Sequence, residues 1–193
     1  RAAMVLPNNN GSLARWSELF YSFDYGRAHF ISLDTNIASQ PDQLAWLRQD
    51  LQLASRNPNI SWIFVFLHHA PFASGHLTHI ALHGGGTRDY FVPLFEEFGV
   101  DVVFSGHEHA YERTCPMLAG ACAVPESDGI LYIVTGGGGH YELMANVCGA
   151  GCPWSQFHAA IFHFVRVTVE GDTLTGQAID LNGVVIDTFT VQK

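Results

Sequence analysis

The chain has 193 residues, 48% hydrophobic and only 14% charged, a globular composition that excludes a disordered segment. Its formal net charge is -9, with 9 Lys plus Arg and no basic cluster, which argues against nucleic-acid binding through phosphate neutralisation. The longest apolar run, Trp62 to Leu67, is strand-sized and well short of the roughly 18 residues that suggest a membrane span.

Residues 1–15 lack periodicity and read as a loop. Leu19 to Asp24 and Ala28 to Asp34 are predicted strands around a Tyr25-Gly26 turn. Ser39 and Asp42 have the spacing of a capping box, with Pro41 in the first helical turn. The helix that follows carries Leu44, Leu47, Leu51 and Ala54 on one face and stops at Asn57-Pro58-Asn59. Ser61 to Leu67 is apolar on both faces, as in a strand buried between layers. A polar, Gly-rich loop over about 73–87 leads to a helix over Arg88 to Phe98, whose first turns are disturbed by Pro93. Val100 to Ser105 is a second buried strand, 114–128 a loop, and Ile130 to Thr135 a strand that runs into Gly136–Gly139. After a further loop, 140–158, the tail alternates from Ile161 to Val169. Turns at Gly171-Asp172 and Asn182-Gly183 then predict a three-stranded antiparallel meander. Strand–helix–strand units with an antiparallel end predict two packed sheets with helices outside, in one domain spanning 1–193.

Cys115, Cys122, Cys148 and Cys152 fall into two local pairs, which predicts disulfides Cys115–Cys122 and Cys148–Cys152 and an oxidising compartment. Their spacings do not repeat a usual zinc pattern. Asn10-Gly11-Ser12 and Asn59-Ile60-Ser61 are N-glycosylation sequons that point the same way, to a secreted glycoprotein. The chain opens at Arg1 with neither Met nor a signal-peptide pattern, as expected of a mature, trimmed or incomplete polypeptide.

The chemistry sits at two strand ends. Gly106-His107-Glu108-His109-Ala110-Tyr111-Glu112-Arg113 follows directly on Val100–Ser105, and His68-His69-Ala70-Pro71-Phe72 follows directly on Trp62–Leu67. Ligands of open α/β sheets gather beyond the carboxyl ends of strands, and neutral imidazole is a common metal ligand. A lone histidine at a strand end is ordinarily a satisfied polar residue. Four at two neighbouring ends make a metal cluster a serious alternative.

Gly106 to Arg113 resembles the His-x-His block of purple acid phosphatases and related calcineurin-like phosphoesterases. Other segments agree in order: Tyr21–Gly26 with His29–Asp34, Gln43–Leu51, Phe98–Ser105 and Gly129–Gly139. The resemblance runs from about residue 18 to 140 and is weaker over the antiparallel tail. It implies an α/β fold, the four-layer α/β/β/α metallophosphoesterase sandwich, here its C-terminal half. The family's Asp-x-His, Gly-Asp and Gly-Asn-His segments have no match here and would lie before residue 1. The missing N-terminal half of the domain is therefore an expected partner.

The resemblance implies that His107 binds one metal and His109 the other, with one more ligand from His68-His69. Alignment without a gap selects His68, and alignment on His-x-Pro selects His69. The ungapped choice is preferred, because a gap inside a buried strand is hard to accommodate. His83 and then His76 are the expected substrate-side histidines, with His79 a third candidate. His29, His158 and His163 lie in or beside strand patterns and read as structural. Glu108, Tyr111, Glu112 and Arg113 read as braces of the metal loop. Two metal ions, Fe with Zn or Mn, would hold a phosphate ester and supply the attacking water, while a loop histidine protonates the leaving oxygen. The activity implied is that of an acid phosphatase-like phosphomonoesterase. The alternatives are a phosphodiesterase or nucleotidase of the same superfamily, and a non-catalytic half-domain.

Overall fold

The structure is a computed structural model that describes residues 6–7, 9, 18–75, 85–139, 143–148 and 151–193. β1 (Tyr21–Tyr25) and β2 (Ala28–Ser32) form an antiparallel hairpin, Tyr21 facing Ser32 and Tyr25 facing Ala28. Gly26 closes it at φ +59°, a conformation that costs glycine little. α1 (Pro41–Arg56) begins with proline at its first position, where no N–H is needed. The N-cap is therefore Gln40, which makes no side-chain cap bond, and the expected Ser39 capping box does not form. Gln43, Leu47, Leu51 and Ala54 form the buried stripe of α1.

β3 (Trp62–Leu67) lies parallel to β2, and β4 (Val102–Ser105) parallel to β3. Between β3 and β4 runs α2 (Gly85–Phe98), which starts three residues before the expected Arg88 and keeps Pro93 inside it. Burial of Phe91, Val92, Leu94 and Phe95 outweighs the backbone bond that Pro93 cannot make.

β5 (Tyr111–Thr114), β6 (Met117–Leu118) and β7 (Ala121–Cys122) follow, then β8 (Leu131–Thr135) and β9 (Ser155–Ala159). The tail is β10 (His163–Glu170), β11 (Thr173–Asp180) and β12 (Val185–Gln192). The main sheet has seven strands in the order β1-β2-β3-β4-β8-β5-β9, and β10-β11-β12 form the expected meander. β6, β7 and most of β9 lie in segments expected to be loop, and β5 lies in the stretch read as bracing the metal loop; of these, β5 and β9 join the main sheet. Both are short and partly polar, so they show no period, but they pair antiparallel with each other and β5 also pairs with β8.

Alternation along β3 divides the core. Ile63, Val65 and Leu67 join Leu47, Leu51 and Phe95 on the helix side. Trp62 and Phe64 face Leu174, Ala178 and Phe189 of the meander. The layers are thus helices, large sheet, small sheet. Phe66, expected to be buried, is 42% exposed, because it lies outside the cluster packed by the meander.

Two charged clamps tie these layers. Asp187 of β12 accepts from Arg113 Nε at 2.6 Å, from a second Arg113 nitrogen at 3.1 Å, and from the Tyr111 hydroxyl at 2.7 Å. Lys193 pairs with Asp101 at 2.8 Å and lies 4.9 Å from the centre of the Trp62 ring. Both predicted disulfides are present, Cys115–Cys122 and Cys148–Cys152. No helix among the described residues is long and apolar enough to cross a membrane.

The edge hairpin is fixed to α1 by His29. Its ring meets Asp24 at 2.6 Å and Asp50 at 2.9 Å, and Asp50 also accepts from the Ser22 hydroxyl at 2.8 Å. Burial works to lower the His29 pKa, but Asp50 and Asp24 together raise it above 6.5. The stability that this pair confers is therefore full below pH 6.5 and lost as pH rises through the folded value.

Melting temperature should accordingly fall between pH 6 and pH 8, and His29→Gln should flatten that slope. At pH 5.5 Asp50→Asn should cost more than Asp24→Asn, since Asp50 is 16% exposed and Asp24 54%. The loss expected for Asp50→Asn is about 1–2 kcal/mol, a few degrees in a chain of this size. Asp187→Ala strands the Arg113 guanidinium, and urea unfolding should show a loss of about 3 kcal/mol.

Candidate metal centre

Parallel pairing brings the carboxyl ends of β2, β3, β4 and β8 to one edge of the sheet. Leu33 N–H donates to the Phe66 carbonyl at 2.9 Å, and Gly106 N–H to the His68 carbonyl at 3.1 Å, so the pairing continues past the strand ends. Thr35, His68, His69 and His107 are thereby gathered on neighbouring turns.

The ligating atoms of His68, His69 and His107 all lie within 4.8 Å of one another. His107 Nδ1 is 3.2 Å from His68 Nε2, and the His69 and His107 ring centres are 4.5 Å apart. His68 is exposed, His107 half-buried and His69 only 8% exposed. His107 has φ +65°, a left-handed conformation that costs a non-glycine residue about 1–3 kcal/mol. Such strain persists where the surroundings enforce it, here a sharp turn in which Glu108 N–H donates to the Gly106 carbonyl at 2.8 Å. His109 lies on the same turn, half-buried, and its carbonyl accepts from Met144 N–H at 3.0 Å. It is not a member of the mutual cluster. His76, His79 and His83 fall outside the described residues.

Sequence reasoning missed Thr35. Its hydroxyl is 2.6 Å from His69 Nδ1 and also accepts the His69 backbone N–H at 3.3 Å. The signal was available, because Thr35 follows β2 much as His68 follows β3 and His107 follows β4.

The motif of His107 and His109 also carries two buried carboxylates, Glu108 and Glu112. Glu108 is 3% exposed and Glu112 1%. Burial, then the neighbouring Glu112, pushes the Glu108 pKa up to about 7. Glu112 accepts from Ser74 N–H at 2.8 Å, which ties the loop after β3 to β5. One oxygen of each carboxylate and the Ser74 hydroxyl have no hydrogen-bond partner among the described residues. Gly136 is required by packing, since a Cβ there would sit 2.0 Å from the Glu108 carbonyl oxygen. His29, His158 and His163 lie in strands, as the sequence pattern suggested. His163 lies between Thr135 at 3.1 Å and the Ile161 carbonyl at 3.0 Å, and burial lowers the pKa of both His158 and His163.

This donor set fits a cation. Three imidazoles within 4.8 Å match one small transition ion, whose nitrogen ligands lie about 2.0–2.1 Å from the metal. His69, His107 and His68 are the residues that could hold it.

The model of the calcineurin-like phosphoesterase family matches residues 8–111, more than half of the chain. Purple acid phosphatase 18 of Arabidopsis thaliana is 36% identical over 151 residues, covering 76% of this chain and 33% of that protein. Acid phosphatase type 7 of Mus musculus is 28% identical over 224 residues, covering 100% of this chain and 49% of that protein. The chain thus spans half or less of the length of these relatives. A purple acid phosphatase isolated from yellow lupin (Lupinus luteus) seeds superposes with a TM-score of 0.79 at 26% identity, covering 90% of this chain and 32% of that one. The family model over residues 8–111, with the superposition on the lupin protein, places the chain in the calcineurin-like phosphoesterase family.

Proposed function

We propose that this chain is the C-terminal part of a metallophosphoesterase catalytic domain and works as one half of an acid phosphatase-like phosphomonoesterase. The observation that carries the reading is the His68, His69 and His107 cluster at the carboxyl edge of the parallel strands. Those residues would hold one ion, and His109 would serve a second, the pair being Fe with Zn or Mn. When bound, such ions supply concentrated positive charge against a phosphoryl group. This suits a chain whose own net charge is -9. The chain's residues bind and orient: the Glu112–Ser74 bond steadies the loop after β3, and Gly136 lets that floor close up. His83 or His76 would deliver the proton to the leaving alcohol oxygen.

The remainder of the domain is proposed to cover the aromatic face of the large sheet. Phe23 is 47% and Phe66 42% exposed there, and a cavity of about 540 Å³ opens between Phe66, Phe104 and the valines of β10. β10 is an edge strand among the described residues, so its outer side could accept further pairing. The two disulfides and an exposed Asn59 in a turn support a secreted glycoprotein.

The test is metal content and turnover in the longer protein that contains this chain. About two ions per molecule and hydrolysis of p-nitrophenyl phosphate are expected, and His107→Ala should lower kcat/KM by 100-fold or more, roughly the loss of a main transition-state contact. Residues 1–193 alone should bind at most one ion and turn over nothing. Robust turnover by the isolated chain, or activity that survives metal stripping, would overturn the proposal. Preference for bis(p-nitrophenyl) phosphate would favour the phosphodiesterase reading instead.

A further inference from the structure

We propose that Thr35 is a positioning residue for His69, gripping the ring at Nδ1 so that Nε2 is the atom presented to the histidine cluster. The proposal rests on the metal-binding reading above and adds to it a residue from a different part of the chain.

A metal-binding imidazole needs one nitrogen aimed at the ion with its lone pair free and the other protonated and held. Thr35 and His69 are each only 8% exposed, so water does not compete for this contact. One hydroxyl oxygen engages both the ring, at 2.6 Å, and the backbone N–H of the same histidine, at 3.3 Å. For Nε2 to ligate, Nδ1 carries the proton and donates it to Thr35 Oγ. His68 is exposed by contrast, and its Nε2 meets His107 Nδ1 at 3.2 Å.

Thr35 is itself fixed. It opens a single 3-10 turn, Thr35–Ile37, capped by Asp34, whose carboxylate accepts the Asn36 N–H at 2.9 Å. Gln43, fully buried on α1, holds that turn three times. Its amide oxygen accepts from Asp34 N–H at 3.0 Å, and its amide nitrogen donates to the carbonyls of Asp34 at 3.0 Å and Ile37 at 3.1 Å. The helix thus sets the turn, the turn sets the hydroxyl, and the hydroxyl sets the ring. A buried glutamine on an otherwise apolar stripe has a reason under this arrangement.

The experiment compares Thr35→Val, which keeps the shape and removes the oxygen, with Thr35→Ser, which keeps the oxygen. Zn²⁺ affinity is measured by competition with a chromogenic chelator, and the His69 ring is followed by long-range ¹H–¹⁵N NMR. Circular dichroism confirms that each variant is folded. Thr35→Val should bind Zn²⁺ about 10–100-fold more weakly and lose the protected Nδ1–H signal, whereas Thr35→Ser should retain both within a few-fold. Equal affinity and an unchanged ring signal in Thr35→Val would overturn the proposal. If the wild-type chain takes up no Zn²⁺, the metal reading fails by itself, and the metal-free spectra decide the rest. A single His69 ring state in wild type and Thr35→Ser that becomes a mixture in Thr35→Val supports the positioning role, and identical spectra in all three refute it.

Discussion

The register between β3 and β4 is the constraint on which the site depends. Phe64 is level with Val102 and Leu67 with Ser105, so the first residues beyond the two strands emerge at the same height. A slip of one residue would turn Phe64 and Phe66 toward the helices and Ile63 and Val65 toward the meander, exchanging two fitted cores. A slip of two would keep the faces but carry His107 about 6.6 Å along the sheet, too far to share an ion with His68 or His69. The apolar packing therefore fixes the position of the histidines before any metal arrives. The aliphatic and the aromatic face of β3 serve the position of the histidines as well as the stability of the domain.

That edge is also where the structure is least comfortable by itself. His107 has a strained backbone, Glu108 and Glu112 are buried close together, and three polar atoms there lack partners among the described residues. Packing of the sheet against α1, α2 and the meander holds these features in place, with the Asp187 clamp joining β12 to β5 immediately after the histidine turn. Burial, and after it the neighbouring Glu112, raises the Glu108 pKa. The strained backbone belongs to one of the clustered imidazoles.

Much of this was legible in the sequence, for physical reasons. Two-residue alternation from Ile161 to Val169, with turn residues at Gly171-Asp172 and Asn182-Gly183, marked out the meander closely, because alternation and turn chemistry are local. Strand ends running into histidines located the site, since the chain must leave the sheet where the apolar run stops. What escaped depended on distant neighbours. β5 pairs with β8 and β9, and β9 with β5, so both owe their strand form to partners distant in sequence, and most of β9 lies in the expected 140–158 loop. The capping box failed because Pro41 moved the N-cap to Gln40, and Gln43 went unnoticed because a polar residue breaks the stripe that periodicity looks for. Thr35 had no motif of its own. Its place at the end of a parallel strand was the available clue, and only the strand order β2-β3-β4 gives that clue meaning.

The cysteines have a consequence beyond the compartment they suggest. Their partners are separated by 7 and 4 positions, so each bond closes a tiny ring and removes only about 2 kcal/mol of chain freedom from the unfolded ensemble. Neither joins one sheet to another. The ring at Cys148–Cys152 belongs to a segment whose Met144 N–H donates to the His109 carbonyl and whose Val147 N–H donates to the Ser74 carbonyl, at 3.0 and 2.9 Å. A reductant would thus leave both sheets paired while loosening the outer brace of the histidine turn. Thiol chemistry would reach the histidine turn here through the backbone hydrogen bonds of that segment.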